Sequence, residues 1–307
     1  MEQPLELIQR QPQRLFAFGC SYTQYAWATW PEIVAHDLSI PMYNAARAGA
    51  GNQYIANLVS QLNQKYQFDE NDLVMISWSG FLREDRWIKN AWQVRGDSVG
   101  VPAVLNYPSS HLCNEFIDDF SDPIGYYVRD FATIALVKEM LRLCGCQYHM
   151  FSIYDIPFVH EHENSSTEND AHVLNKIVDL YGDVVKEILP SFDHTVWHGD
   201  QHAHKAPQMK ERWDNKWTDW HPTIDEQFIF LERTFSEHQF SDYTKNTVEE
   251  TFDRYSIFMR SLISRPELLC AESGKLNTID LPEPEWTHFN EDFHLVQNNL
   301  DTNMFIW

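Results

Sequence analysis

Hydrophobic positions along the chain follow a repeating order. A short uncharged run comes first, then a longer stretch with apolar residues three and four apart. Leu15, Phe16, Ala17 and Phe18 form the first run, over residues 15–18, and it breaks abruptly into Gly19-Cys20-Ser21. A run this apolar suits a strand buried on both faces. Trp30, Ile33, Val34 and Leu38 then keep helical spacing over residues 30–39, with Pro31 suited to a first turn. Residues 41–44 read as a short second strand and residues 45–51 as a loop of small side chains. Ile55, Leu58, Val59 and Leu62 place a second helix over residues 53–65, and residues 73–78 carry the clearest buried-strand signal.

From residue 81 to about residue 123 the pattern dissolves into Trp, Arg, Asp, Gly and Pro, which reads as a long insertion of the kind that forms lids. A helix over residues 125–143 follows, ended by Gly145, and then a strand over residues 147–154. After a polar loop at 161–170 the spacing predicts one helix over 171–189, stopped before Pro190, and a fifth strand over 192–197. Thr223 caps a helix over 224–235, and another spans 248–263. Strands alternating with helices predict an α/β fold, a three-layer α/β/α sandwich around a central parallel sheet. The expected organisation is an α/β domain over residues 14–237 with the insertion at 81–123. A C-terminal extension follows over 238–307, helical and then irregular. Its aromatic end, Phe305-Ile306-Trp307, is expected to dock on its own domain or on another subunit, a homo-oligomer or assembly contact.

Composition narrows the partners. Lys and Arg total 23 against 45 Asp and Glu, a formal net charge of −22. That field disfavours nucleic acid and anionic membrane, and suits a neutral or cationic substrate. Residues 1–14 are polar and Gln-rich with no apolar core resembling a signal peptide, and no run of 18 apolar residues occurs. The expectation is a soluble, cytoplasmic protein. Five cysteines, an odd number, argue for reduced thiols, and Cys144-Gly145-Cys146 reads as small residues at a helix end. His198 and His202 would share a face if helical, but Gly199 interrupts that stretch, so a polar loop is expected there and no metal or cofactor.

In folds of this class ligands bind outside the carboxyl ends of the strands. Ser21, the loop at 49–52 and residues 78–80 all follow such ends and are expected to gather on one edge. Ser21 has two compatible readings, the cap of a following helix and a nucleophile. A nucleophile needs a base and a group to orient that base. Asp219-Trp220-His221-Pro222 offers a carboxylate and an imidazole close together, with Pro222 restricting His221 to an extended backbone.

Phe18-Gly19-Cys20-Ser21-Tyr22-Thr23 resembles the first sequence block of the SGNH/GDSL hydrolases, with Cys20 where that family usually carries Asp. Asn44-Ala45-Ala46-Arg47-Ala48-Gly49-Ala50-Gly51-Asn52 resembles the second block, with Gly49 at the oxyanion glycine. Asp219 and His221 with Pro222 resemble the last. The matches keep the family's order over residues 14–235. The third block departs: Ile76-Ser77-Trp78-Ser79-Gly80 has no Asn, and Ser79 is the nearest polar substitute, with Arg83 a second candidate. Losing one oxyanion donor costs about 10²–10³ in rate.

The resemblance implies a flavodoxin-like SGNH fold and a serine ester hydrolase that removes O-acyl (acetyl) groups from a carbohydrate or other small ester. In that picture Ser21 is the nucleophile, His221 the base and Asp219 its orienting acid. Ser21 and Gly49 hold the oxyanion through their N–H groups with the help of Ser79, and Asn52, Trp78, Arg83 and Trp220 contact substrate. The gap between Asp219 and His221 is shorter than the family's usual one and is familiar in SGNH-like sugar O-acetyltransferases, so acyl transfer stays open. So does a catalytically weak or inactive binding or structural module. Chains of this kind also occur in bacteriophage genomes, which adds a virion or host-glycan role to the expectations.

Overall fold

A computed structural model of the chain describes residues 6–25, 28–47, 49–81, 83–88, 91–94, 123–153, 168–188, 190–192 and 222–263. In chain order the elements are β1 (Arg14–Phe18), α1 (Trp30–Leu38), β2 (Met42–Asn44), α2 (Asn52–Tyr66) and β3 (Asp72–Trp78). Next come β4 (Asp85–Ile88), β5 (Ala91–Val94), α3 (Pro123–Cys144), β6 (Gln147–Ser152), α4 (Glu168–Leu180) and α5 (Gly182–Glu187). The last two are α6 (Ile224–Thr234) and α7 (Asp242–Ile263).

Four strands form one parallel sheet in the order β2-β1-β3-β6. The register sets Phe16 beside Val74 and Ile76 beside Met150. Every residue of β3 is buried, as expected of an inner parallel strand covered on both faces. Its one charge, Asp72, lies at the amino end and takes two hydrogen bonds from Arg14, at 2.7 and 2.8 Å.

The strand order separates the helices. β1 steps through α1 to β2, and the chain then returns through α2 past β1 to β3. Right-handed crossovers in opposite directions put α1 and α2 on opposite faces of the sheet. α1 accordingly packs with α6 and α7, whereas α2 packs with α3. Three layers result, the α/β sandwich that the alternating pattern predicts.

Aromatic rings fill both interfaces. On the α1 side Trp30 meets Phe151 edge-on at 5.0 Å, and Phe192 stacks on Phe230 at 3.8 Å. On the α2 side Phe16 stacks on Tyr43 and tilts against Phe68, while Phe81 packs against Tyr127 and Phe131 of α3. Cys20, Cys144 and Cys146 are free thiols, and Gly145, at φ +72°, ends α3 between the last two.

The structure corrects several expectations. The helix expected over 171–189 is two, because the chain turns at Tyr181 before Gly182 opens α5. Of the fifth strand only its approach is described, where Ser191 bridges Ser152 in parallel; residues 193–197 lie outside the described residues. The insertion begins with an antiparallel hairpin, β4 and β5, which the sequence pattern did not announce. The helix expected from residue 248 starts at Asp242 and packs on α1 and α6. Residues 264–307, including Phe305-Ile306-Trp307, lie outside the described residues. Among the described residues no helix is long and apolar enough to cross a membrane.

Candidate functional site

The strand order reverses direction between β1 and β3, and the carboxyl ends of such neighbours flank a natural crevice. Ser21 follows β1 and Ser79 follows β3, so topology alone brings these two hydroxyls to the same edge.

The Ser21 turn is built tightly. Thr23 and Gln24 donate their N–H groups to Cys20 O at 3.0 and 3.2 Å, closing the chain back on itself. A side chain at Gly19 would place its Cβ 2.0 Å from Thr23 Oγ1 and 3.1 Å from Ser77 O, so only glycine lets β1 end this close to Thr23 and β3. Thr23 O in turn accepts from Asn44 Nδ2 and from Thr29 Oγ1, each at 2.7 Å. Thr29 then caps α1, with Glu32 Oε2 accepting its backbone N–H at 3.0 Å. Burial pushes the Glu32 carboxyl up from its ordinary pKa. Ser21 itself is 7% exposed. On the next residue, Tyr22 O accepts from Gln227 Nε2 of α6 at 3.2 Å.

The loop after β2 is tied to the same turn, with Ala45 N donating to Ala17 O at 2.9 Å and Arg47 N to Gly19 O at 3.2 Å. Gly49 takes φ +78°, the left-handed region that favours glycine. Gly51 stands at the N-cap of α2 and has no side chain to offer the helix. Asp85 does the capping instead, accepting from Gly51 N and Tyr54 N at 3.0 Å each. A Cβ on Gly51 would fall 2.5 Å from Asp85 Oδ2 and 2.8 Å from Arg83 Cβ.

Ser79 is held by Asn52. Its N–H donates to Asn52 Oδ1 at 2.8 Å, and Asn52 Nδ2 donates to Ser79 O at 3.2 Å and to Asp130 Oδ2 at 2.8 Å. The Ser79 hydroxyl, on a residue 1% exposed, has no hydrogen-bond partner among the described residues.

Charges behind this edge are paired. Arg129 bonds Asp130 at 2.8 Å, Glu84 at 3.2 Å and Arg83 O at 2.9 Å. The Tyr126 hydroxyl donates to Glu84, and Arg83 Nη1 donates to Ala50 O at 2.8 Å. Burial pushes the Asp130 carboxyl up to about 6 against the pull of Arg129. Burial likewise raises Asp85 to about 6, although the N–H groups of Tyr54 and Gly51 and the charge of Arg83 favour its anion.

The structure thus gathers Ser21, Gly49 and Ser79 at adjoining strand ends. Asn52 is fully buried and both its amide hydrogens are taken by Ser79 and Asp130, so it braces the edge where a substrate contact was expected. Trp78, also expected to touch substrate, is fully buried at the end of β3, because an inner strand turns its side chains into the two helix layers. Arg83 is buried and spans to the Gly49 loop. Asp219, Trp220 and His221 lie outside the described residues, as do His194, His198, His202 and His204. Among the described residues no group of three or more His, Cys, Asp or Glu side chains is placed to hold a metal ion.

Sequence reading missed Asp130 and the buried role of Asp85. A signal for Asp130 was present: it falls on the apolar stripe of α3 with Tyr127, Ile134, Val137 and Leu141, where a carboxylate needs a partner.

No family model matches the chain, and no curated protein matches it. Among solved structures it is similar to a GDSL-like lipase from Bacteroides thetaiotaomicron, at 14% identity over 74% of this chain and 90% of that one, with a TM-score of 0.39. It is also similar to a member of the lipolytic protein G-D-S-L family from Veillonella parvula, at 10% identity over 73% of this chain and 96% of that one, with a TM-score of 0.37. The chemistry therefore rests on this chain's own residues.

Proposed function

We propose that this protein is a serine ester hydrolase that removes an acyl group, an acetyl group first of all, from a carbohydrate or other small ester. One observation carries the reading. The helix that opens directly after His221-Pro222-Thr223 is bonded to the residue that follows Ser21, through Gln227 Nε2 and Tyr22 O at 3.2 Å. That bond ties the helix beginning three residues after His221 to the turn that carries Ser21, and so supports pairing the two. Thr223 opens that helix with its own N–H on Glu226 Oε2 at 2.9 Å, which gives the end of the segment a fixed start.

In the proposed reaction His221 takes the Ser21 hydroxyl proton as Oγ attacks the ester carbonyl, and Asp219 orients the ring and stabilises its cation. The N–H groups of Ser21 and Gly49, with the Ser79 hydroxyl, stabilise the oxyanion. The alcohol leaves with the proton from His221, and water resolves the acyl-enzyme by the same steps in reverse. The Ser79 hydroxyl, without a partner among the described residues, supports its assignment as the donor standing where the resembled family has Asn, because a buried hydroxyl is costly unless something satisfies it.

The test is labelling with a fluorophosphonate probe alongside turnover of p-nitrophenyl acetate. Ser21→Ala is expected to abolish both, Asp219→Asn to lower turnover on the order of 10⁴-fold, and His221→Ala on the order of 10⁶-fold. Wild-type turnover in Ser21→Ala overturns the proposal. An unlabelled wild-type protein points instead to a binding module built on this fold.

A further inference from the structure

The two strand-end loops do not merely lie side by side. Each one holds the other. Asn52, which begins α2 just after the Gly49 loop, grips the peptide of Ser79 by two hydrogen bonds. The chain that leaves Ser79 returns the grip: Arg83 Nη1 holds Ala50 O, and Asp85 holds the N–H groups of Gly51 and Tyr54. Asp130 on α3 anchors Asn52 from behind, and Arg129 joins Asp130 to Glu84 and to Arg83 O. Each side chain of this set is bonded either from one loop to the other or between a loop and α3.

We infer that Asn52, Asp85 and Asp130 are positioning residues forming a reciprocal clasp, which fixes the Gly49 loop and the Ser79 strand end at one mutual distance. On the esterase reading, on which the catalytic part of this inference rests, that distance sets how the Gly49 N–H and the Ser79 Oγ converge on one oxyanion. Donors aimed in advance cost no reorganisation at the moment of reaction, whereas a shift of about 1 Å can cost on the order of 10²-fold.

Three features favour a clasp over ordinary core packing. The bonds cross between loops in both directions and do not stay within either one. Their carboxylates are buried where an apolar residue of the same size would have filled the space without a desolvation cost. And Gly51 leaves room for Asp85 and Arg83 that any side chain would occupy.

The test uses the full chain and two readouts. Amide hydrogen exchange is followed in peptides covering residues 47–54 and 76–81, and steady-state turnover of p-nitrophenyl acetate is measured in parallel. Asn52→Ala and Asp130→Ala are expected to speed exchange in both peptides together, with β1 and β6 unaffected. They are also expected to lower kcat by about 10–100-fold with KM within threefold. Asp130→Asn, which keeps an oxygen for Asn52 to bond, is expected to recover most of what Asp130→Ala loses. Faster exchange in only one peptide, or loosened loops with unchanged kcat, overturns the inference. If wild-type and Ser21→Ala proteins turn over equally little, the esterase reading falls by itself, and paired exchange still decides whether the clasp exists. Should Asn52→Ala fail to fold, Asp85→Asn gives the same comparison.

Discussion

Steric detail at single residues divides the glycines of this chain into those the fold needs and those it tolerates. Gly51 and Gly145 make the contrast. A Cβ at Gly51 meets the Asp85 carboxylate at 2.5 Å and Arg83 Cβ at 2.8 Å, both inside the clasp. At Gly145 a Cβ meets nothing within 4 Å, but the backbone sits at φ +72°. Gly51→Ala is therefore expected to destabilise by about 1–3 kcal/mol through overpacking, and to expel the Asp85 carboxylate from the α2 N-terminus. Gly145→Ala pays only the left-handed backbone cost of about 1–2 kcal/mol. Urea unfolding gives both stabilities. The discriminating result is exchange at residues 47–54, which quickens in Gly51→Ala alone. Equal local exchange in the two variants would contradict the crowding argument.

Among the elements, α7 is docked by its first turn. Asp37, near the end of α1, bonds His238 Nε2 at 2.7 Å and accepts the N–H of Ser241 at 2.8 Å; His36 Nδ1 lies 3.0 Å from Thr244 Oγ1, and Tyr243 stacks on the His36 ring. Burial alone would raise the Asp37 carboxyl, but its bonds to His238, Ser241 and Thr244 outweigh burial and hold it below its ordinary value. A depressed carboxylate pKa contributes stability that is present above the unfolded value, 3.8, and lost as pH falls through the lower folded value. Asp37→Asn is expected to lower stability by about 1–3 kcal/mol at pH 7, with the gap between variant and wild type narrowing below pH about 4. Thermal unfolding across that range checks it, and a gap that persists at low pH would mean the docking does not depend on the Asp37 charge. The same distinction between local and distant partners explains what the sequence disclosed. β1 and β3 were legible because inner parallel strands must be continuous apolar runs, and α1 because Pro31 and the spacing of Trp30, Ile33, Val34 and Leu38 lie within the helix itself. The hairpin of β4 and β5 was not, since Asp85 and Arg86 look like a solvated loop until Gly51 and Tyr54 are seen to need a carboxylate. Nor was the break between α4 and α5, where Tyr181 carries no capping side chain. Ser21 and Gly49 could be picked out because a strand end and a glycine loop are local features. Asp130 reaches Asn52 across 78 positions of sequence, a separation that no local pattern encodes.

At the scale of the whole molecule, the charge of −22 and the charge at the candidate edge are different quantities. Among the described residues near that edge, opposite charges face one another. Arg47, Arg83 and Arg129 stand against Glu84, Asp85 and Asp130, and burial raises both Asp85 and Asp130 to about 6. On the proposed function, an approaching ester meets the long-range field of the acidic chain, which acts over a Debye length of about 30 Å at 0.01 M salt and about 3 Å at 1 M. That field should favour a cationic ester over an anionic one of the same size, by roughly tenfold or more in kcat/KM at low salt. The preference should reside in kcat/KM, because it concerns encounter, and leave kcat for the two esters alike. It should fade as salt is raised toward 1 M. Measuring both esters across that range separates this long-range steering from local recognition: a cationic preference that survives high salt would place a binding carboxylate inside the cleft, and no preference at low salt would mean that the charges at the edge, not the −22 of the chain, govern what approaches Ser21.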